Sequence, residues 1–93
     1  MKKRTFTSVW DAIEDTAESA ANMRVRAELM VEIERYVRDS DLSQAEAAKK
    51  LGVTQPRLND LLRGKIDKFS LDALVNILGK AGKQVSVRVK NAA

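Results

Sequence analysis

Residues 43–65 of the chain, SQAEAAKKLGVTQPRLNDLLRGK, decide its fold. Ser43 is followed three residues later by Glu46, which predicts a capping box: the serine hydroxyl accepts from the Glu46 amide, and the glutamate bonds back to the Ser43 amide. The helix that opens there ends at Gly52, because glycine adopts a left-handed conformation without steric cost. Thr54 is then a good N-cap for a second helix. The stretch therefore predicts two short helices joined by a tight turn.

This spacing matches the helix-turn-helix unit, whose second helix enters the major groove of DNA. Small residues let the two helices approach closely (Ala45, Ala47 and Ala48), and Val53 and Leu58 fill the space between them. Pro56 lies in the first turn of the second helix, where its missing N–H costs nothing. An inner stripe of Leu58, Leu61 and Leu62 leaves six residues facing outwards: Gln55, Pro56, Arg57, Asn59, Asp60 and Arg63.

The outward residue types are those that contact base edges. Arginine commonly contacts guanine, and glutamine or asparagine contacts adenine. The Asp60 carboxylate is open to two interpretations, since it can contact cytosine or instead repel phosphate and pair with Arg57 or Arg63. Helix N-termini and small polar caps bind phosphate, and lysines flank the second helix. We therefore predict DNA contacts at Ser43, Gln44, Thr54, Gln55, Pro56, Arg57, Asn59, Asp60, Arg63 and Lys65, with Lys68 beside them. The alternative is an ordinary solvated helix face.

The net charge of +4 is unevenly spread along the chain. Residues 5–40 carry four arginines against eight acids, a net −4, whereas residues 41–93 carry ten Lys or Arg against five acids, a net +5. A basic C-terminal half suits a polyanion such as nucleic acid, although solubility alone would also account for it.

Helical patterns also flank the central stretch. Ser8 predicts the start of a short helix through Trp10 and Ile13. A longer helix follows from about Thr16 to Asp39, with an apolar stripe of Ala20, Met23, Ala27, Met30, Ile33 and Val37, widened by Leu29 and Tyr36. After a loop at 66–69, Ser70 opens a further helix that ends near Gly79 and Gly82 and whose predicted core face is Leu71, Leu74, Val75 and Leu78.

Residues 84–90 alternate between apolar and polar types, which predicts a β-strand with Val85, Val87 and Val89 on one face. The chain offers no second strand, and an exposed strand edge favours pairing with another chain. We therefore predict a homodimer in which the strand pairs with its own copy and these three valines form the interface. The alternative is a strand that folds back on the edge of its own domain.

Residues 44–65 resemble the phage-repressor (XRE/Cro) helix-turn-helix family, in their Gln-Ala-x-x-Ala start, glycine turn and Arg-Gly-Lys end. The resemblance implies that Gln44 contacts phosphate and that Gln55, Pro56, Arg57 and Asp60 lie at the groove. The implied fold is mainly α: a single domain over 1–93, phage-repressor-like, with four to five helices and one short C-terminal strand. It comprises an N-terminal helical extension (1–40), the helix-turn-helix (42–65), a fourth helix (70–82) and the strand (84–90).

The whole chain resembles more narrowly the compact HigA-like antitoxins, in which a long helix precedes the motif and a phrase like residues 65–74, KIDKFSLDAL, leads to a short valine-rich strand. This resemblance implies a transcriptional regulator that represses its own operon at a palindromic operator in double-stranded DNA and binds a small basic ribonuclease toxin. The alternatives are a stand-alone phage-type repressor and a protein-interaction module that binds no DNA.

Composition argues against several other classes of protein. The chain has no His, which is the commonest general base and the commonest metal ligand. It also has no Cys, so it forms no disulfides and no thiolate metal site. We expect no enzymatic activity, no cofactor and no metal site. No apolar run is long enough to cross a bilayer, and the basic start of the chain is unlike a secretory signal, so we expect a cytoplasmic protein without a membrane partner.

Overall fold

The computed structural model describes residues 17–91. Four α-helices and one 3-10 turn follow one another in this part of the chain: α1 (Ala17–Asp39), α2 (Gln44–Leu51), α3 (Gln55–Leu62), the 3-10 turn (Ile66–Lys68) and α4 (Leu71–Lys80). The predicted helix from Ser8 lies outside the described residues. No helix in the described part is both long enough and apolar enough to span a membrane.

The capping box that opens α2 is confirmed. The Glu46 amide donates to Ser43 Oγ at 3.1 Å, and the Ser43 amide donates to Glu46 Oε1 at 2.8 Å. At the other end, Gly52 has φ +75°, and the amide of Val53 donates to the Ala48 carbonyl at 3.0 Å. These bonds satisfy backbone groups that the ends of a short helix would otherwise leave unpaired.

The starts of α3 and α4 follow the same rule and are also confirmed. Thr54 Oγ1 accepts from the Arg57 amide at 3.2 Å, with Pro56 in the first turn of α3. Ser70 Oγ accepts from the Ala73 amide at 3.1 Å. Each helix therefore begins where a short polar side chain can replace the missing intrahelical acceptor.

All four helices contribute to a single apolar core, and α1 packs most extensively against α4. The buried residues are Met30 and Ile33 from α1, Ala47, Ala48 and Leu51 from α2, Leu58 and Leu61 from α3, Phe69, and Leu74, Ile77 and Leu78 from α4. The two buried alanines lie where α2 meets its neighbours, so the helices can approach closely there. The core thus fixes the orientation of α3 through the buried side of this helix.

Several predicted core positions are wrong. Val75 is 40% exposed and Ile77 is buried instead, because the spacing of three and four residues from Leu74 leads to Ile77 and Leu78. Ala45 is exposed, since the inner face of α2 is formed by its last five residues. The first half of the α1 stripe is also exposed (Ala20, Met23 and Ala27). The reason is length: α1 has 23 residues and is about 35 Å long, whereas the helices against which it packs are about 12–15 Å long. The shorter helices therefore cover only part of the stripe.

The predicted C-terminal strand is absent from the single chain, because residues 84–91 have no regular secondary structure. A strand needs ladder hydrogen bonds to a second strand, and the described residues contain none. Val85 packs against the chain's own core, as the fold-back alternative expects, whereas Val87 and Val89 are 82% and 88% exposed. The described fold is therefore entirely helical.

Candidate nucleic-acid interface

The outer side of α3 carries polar side chains on a helix whose inner side is locked in the core. Leu58 and Leu61 are buried and Leu62 is half-buried. The residues predicted to face outwards differ in exposure: Gln55, Pro56 and Arg57 are exposed, Asn59 and Asp60 are half-buried, and Arg63 is exposed just beyond the helix end. The structure thus brings the predicted base-contacting residues together on one surface.

The residues predicted to contact phosphate lie at the N-termini of α2 and α3. Ser43 and Thr54 are exposed, and Gln44 is half-buried in the first turn of α2. Each hydroxyl accepts a backbone N–H as a helix cap and keeps its own proton as a donor. A serine or threonine in this position can therefore cap its helix and donate to a phosphate oxygen at the same time.

Asp60 pairs with lysines that follow α3. The sequence alone suggests Arg57 or Arg63 as its partner. The carboxylate instead lies 3.4 Å from Lys65 Nζ and 3.7 Å from Lys68 Nζ. The reason is the chain reversal after α3: Gly64 has φ +76°, and the Lys65 amide donates to the Asp60 carbonyl at 3.1 Å. The negative charge on α3 is therefore compensated locally.

Phe69 is a functional candidate that the sequence pattern missed, because it lies in the predicted loop. It is 2% exposed, and the guanidinium carbon of Arg57 lies over its ring, 4.4 Å from the centroid. A signal was present: Phe69 directly precedes the N-cap Ser70, and Leu74 is the fourth residue of the helix. That spacing is typical of a hydrophobic staple, and both apolar residues belong to the core.

Arg26 of α1 is a second candidate that was missed. Its Nη1 donates to the carbonyls of Ile66 and Phe69 at 3.2 Å and 3.3 Å, so α1 holds the segment that supports α3. The signal was its position four residues before Met30, in line with the buried stripe of α1. The half-buried guanidinium donates to backbone carbonyls there, which compensates in part for the water that it loses.

A family model described as a helix-turn-helix domain matches residues 12–90. The chain belongs to this helix-turn-helix domain family. The match includes all four helices of the described fold, so it covers the motif and the helices that support it. No curated protein sequence matches the chain. Membership of the family supports a DNA-binding regulator.

The charge around this helix-turn-helix domain suits such a role. Residues 43–68 carry six Lys or Arg against three acids, and two of the lysines pair with one of those acids, Asp60. Lys49, Lys50, Arg57 and Arg63 are exposed. The surface therefore offers positive charge and hydrogen-bond donors. Among the described residues, no group of three or more His, Cys, Asp or Glu side chains is placed to hold a metal ion.

Proposed function

We propose that the protein is a sequence-specific transcriptional repressor that inserts α3 into the major groove of DNA. The observation that carries the proposal is the exposed polar face of α3, which begins at the Thr54 cap and is held by the core of a helix-turn-helix domain. An α-helix with its side chains is about 10–12 Å in diameter, which fits the major groove, about 12 Å wide.

The roles of the residues follow from their places on this surface. Ser43, Gln44 and Thr54 contact phosphates and set the register of the domain on the duplex. Lys65 adds a phosphate contact at the far end of α3. The residues on the outer face of α3 lie at the base edges, where Arg57 and Arg63 suit guanine and Gln55 and Asn59 suit adenine. Pro56 and Asp60 complete this face, and Asp60 also holds Lys65 close to the helix.

A homodimer on a palindromic operator is part of the proposal. Val87 and Val89 are almost fully exposed in the single chain, and apolar side chains that alternate along an extended segment favour strand pairing. Antiparallel pairing of residues 84–90 across a two-fold axis would bury them. The two copies of α3 would then occupy successive major grooves, about 34 Å apart.

We further propose that the repressor is the antitoxin of a type II toxin–antitoxin pair and binds a small basic ribonuclease toxin. Support comes from the resemblance to HigA-like antitoxins and from the net −4 of residues 5–40 in an otherwise basic chain. On α1, Glu28 and Glu32 are exposed and can attract a basic partner. Co-expression with the product of the neighbouring gene tests this: we expect co-purification at low salt and rescue of growth, and absence of both would contradict the proposal.

DNA binding itself is tested by selecting duplexes from a random library with the full chain. We expect one enriched sequence, and Arg57→Ala should weaken its binding by about 1–3 kcal/mol and relax specificity at one base pair. Arg24→Ala is the matched control, because Arg24 is exposed on α1 and is not among the residues of the proposed interface. Circular dichroism shows whether each variant keeps its helices. A folded Arg57 variant with unchanged affinity would remove Arg57 from the site, and a selection that enriches no duplex would refute DNA recognition.

A further inference from the structure

We propose that Phe69 is a positioning residue for Arg57: its ring holds the guanidinium in the orientation in which Arg57 contacts DNA. Phe69 is 2% exposed and itself has almost no surface to offer DNA, so it acts on recognition through Arg57. This inference rests on the proposed function and adds to it a specificity-determining residue outside the helix-turn-helix motif.

Arg57 is held both at its backbone and at the end of its side chain. Its amide donates to Thr54 Oγ1 at 3.2 Å in the first turn of α3, which fixes the backbone from which the side chain starts. Its guanidinium carbon lies 4.4 Å from the Phe69 ring centroid, within the range of a cation–π contact. A side chain that is anchored in this way has fewer conformations to lose when it binds, and a smaller loss of conformational freedom favours binding.

The contact with the ring leaves the hydrogen-bonding capacity of Arg57 free. When a guanidinium stacks on an aromatic ring, the contact is through its π face, and its five N–H donors lie in its own plane, clear of the ring. Arg57 also remains exposed although Phe69 is buried. The donors are therefore available for guanine O6 and N7 while the ring is still in contact.

The backbone that carries the ring is itself held by contacts with two helices, and the ring is part of the buried core. The Phe69 carbonyl accepts from Arg26 Nη1 at 3.3 Å, which ties this backbone to α1. The next residue, Ser70, is the N-cap of α4, with its hydroxyl accepting from the Ala73 amide at 3.1 Å. A ring supported in this way can define the position of a mobile side chain above it.

The acid nearest to Arg57 on α3 does not compete with the ring. The Asp60 carboxylate is paired with Lys65 and Lys68, and among the described residues no carboxylate forms an ion pair with Arg57. The two lysines therefore leave Phe69 as the group that sets the orientation of the guanidinium.

A series of fluorinated phenylalanines at position 69 tests the inference in the full chain. Successive fluorine atoms weaken the negative face of the ring with little change of shape, so the core packing is kept. The probe is the duplex that the unmodified protein selects from a random library. From phenylalanine to trifluorophenylalanine we expect the affinity to fall stepwise by about twofold to fivefold, and we expect no such trend in an Arg57→Ala background. Thermal unfolding confirms that each protein is folded.

An NMR measurement supplies a readout that needs no DNA. The ring current of Phe69 should shift the side-chain protons of Arg57 upfield relative to those of Arg63, and Phe69→Leu should abolish the shift. If the shift is absent, the inference is wrong.

The outcomes of the two experiments separate this inference from the proposed function. Equal losses of affinity in both backgrounds, or no loss in either, would overturn the inference. DNA recognition by Arg57 would still stand as long as Arg57→Ala weakens binding. If the unmodified protein selects no duplex, the proposed function fails and the inference fails with it.

Discussion

Gly52 and Gly79 differ in backbone conformation, and that difference decides what an added methyl group does. Gly52 has φ +75°, where a Cβ meets only the Lys80 side chain at an ordinary 3.5 Å, so the cost of alanine is backbone strain. Gly79 lies within α4 and has open space around it. We expect Gly52→Ala to lower the free energy of unfolding by about 1–2 kcal/mol and Gly79→Ala to raise it by about 0.5–1 kcal/mol.

Urea denaturation followed by circular dichroism measures both changes. The two variants add the same methyl group, so each serves as a control for the other. A loss of stability of similar size in both would show that the left-handed turn between α2 and α3 is not what requires glycine.

Asp60 restrains two of the lysines that flank α3. Its charge also opposes phosphate at the same surface. We expect Asp60→Asn to strengthen binding to random-sequence duplex DNA and to steepen its salt dependence. Each additional phosphate contact adds about 0.9 to the magnitude of the slope of log K against log salt concentration. Stability should change by less than about 1 kcal/mol, because the pairs are partly exposed to water.

Fluorescence anisotropy on a labelled random duplex, over a series of salt concentrations, measures this effect. Asp67→Asn is the matched control: it removes the same charge from the adjacent 3-10 turn, and Asp67 pairs with no lysine among the described residues. Identical behaviour of the two variants would mean that net charge alone acts and that the release of Lys65 and Lys68 contributes nothing.

At the scale of the elements, three hydroxyl caps begin the three shorter α-helices. We expect Ser43→Ala, Thr54→Ala and Ser70→Ala each to reduce the free energy of unfolding by about 0.5–2 kcal/mol. The first two should also weaken DNA binding, and by more than the third, because the cap of α4 lies outside the proposed interface and acts on it only through Phe69. Chemical denaturation and anisotropy on the selected duplex separate the two effects. A loss of DNA affinity in the Ser70 variant as large as that in the Ser43 or Thr54 variant, measured where each is fully folded, would contradict the assigned surface.

These caps explain why the helix boundaries could be predicted from the sequence. A cap or a left-handed glycine acts within three or four residues, so the residue types at 43, 52, 54 and 70 contain the information by themselves. Burial depends on which helices meet, and α1 shows the difference: its apolar stripe is continuous, yet only the part that faces the other helices is buried.

The same distinction holds for the candidate site. The outward residues of α3 follow from the inner leucine stripe, which is a local pattern. The contacts of Arg57 with Phe69, and of Arg26 with Ile66 and Phe69, join residues 12 and 40 or more positions apart. No spacing rule links positions so distant, although the hydrophobic staple at Phe69 and the register of Arg26 mark both residues as partners of the core.

At the scale of the whole molecule, the proposed dimer depends on the C-terminal segment. Val85 already packs against the core of its own chain, whereas Val87 and Val89 remain exposed. Fully burying a valine contributes about 1.5 kcal/mol or more, so a dimer that covers both residues in each copy gains a substantial driving force. The alternating pattern of residues 84–90 is compatible with a strand that folds back on its own domain and with a strand that pairs with a second chain. The two arrangements differ in whether a second copy of the chain is required.

We expect a chain that ends at Ser86 to be a folded monomer at concentrations where the full chain is a dimer, because the truncation keeps Val85 and removes the exposed valines.

A sharper test replaces residues without shortening the chain. The double change Val87→Thr and Val89→Thr keeps β-branched side chains but removes apolar surface, and should weaken dimerisation by at least about tenfold. The matched control, Arg88→Thr with Lys90→Thr, alters the opposite face and should leave the dimer intact. Sedimentation equilibrium over a concentration series measures each association constant. If the truncated chain dimerises as tightly as the full chain, the segment is not the interface, and the two copies of α3 must be related through another surface.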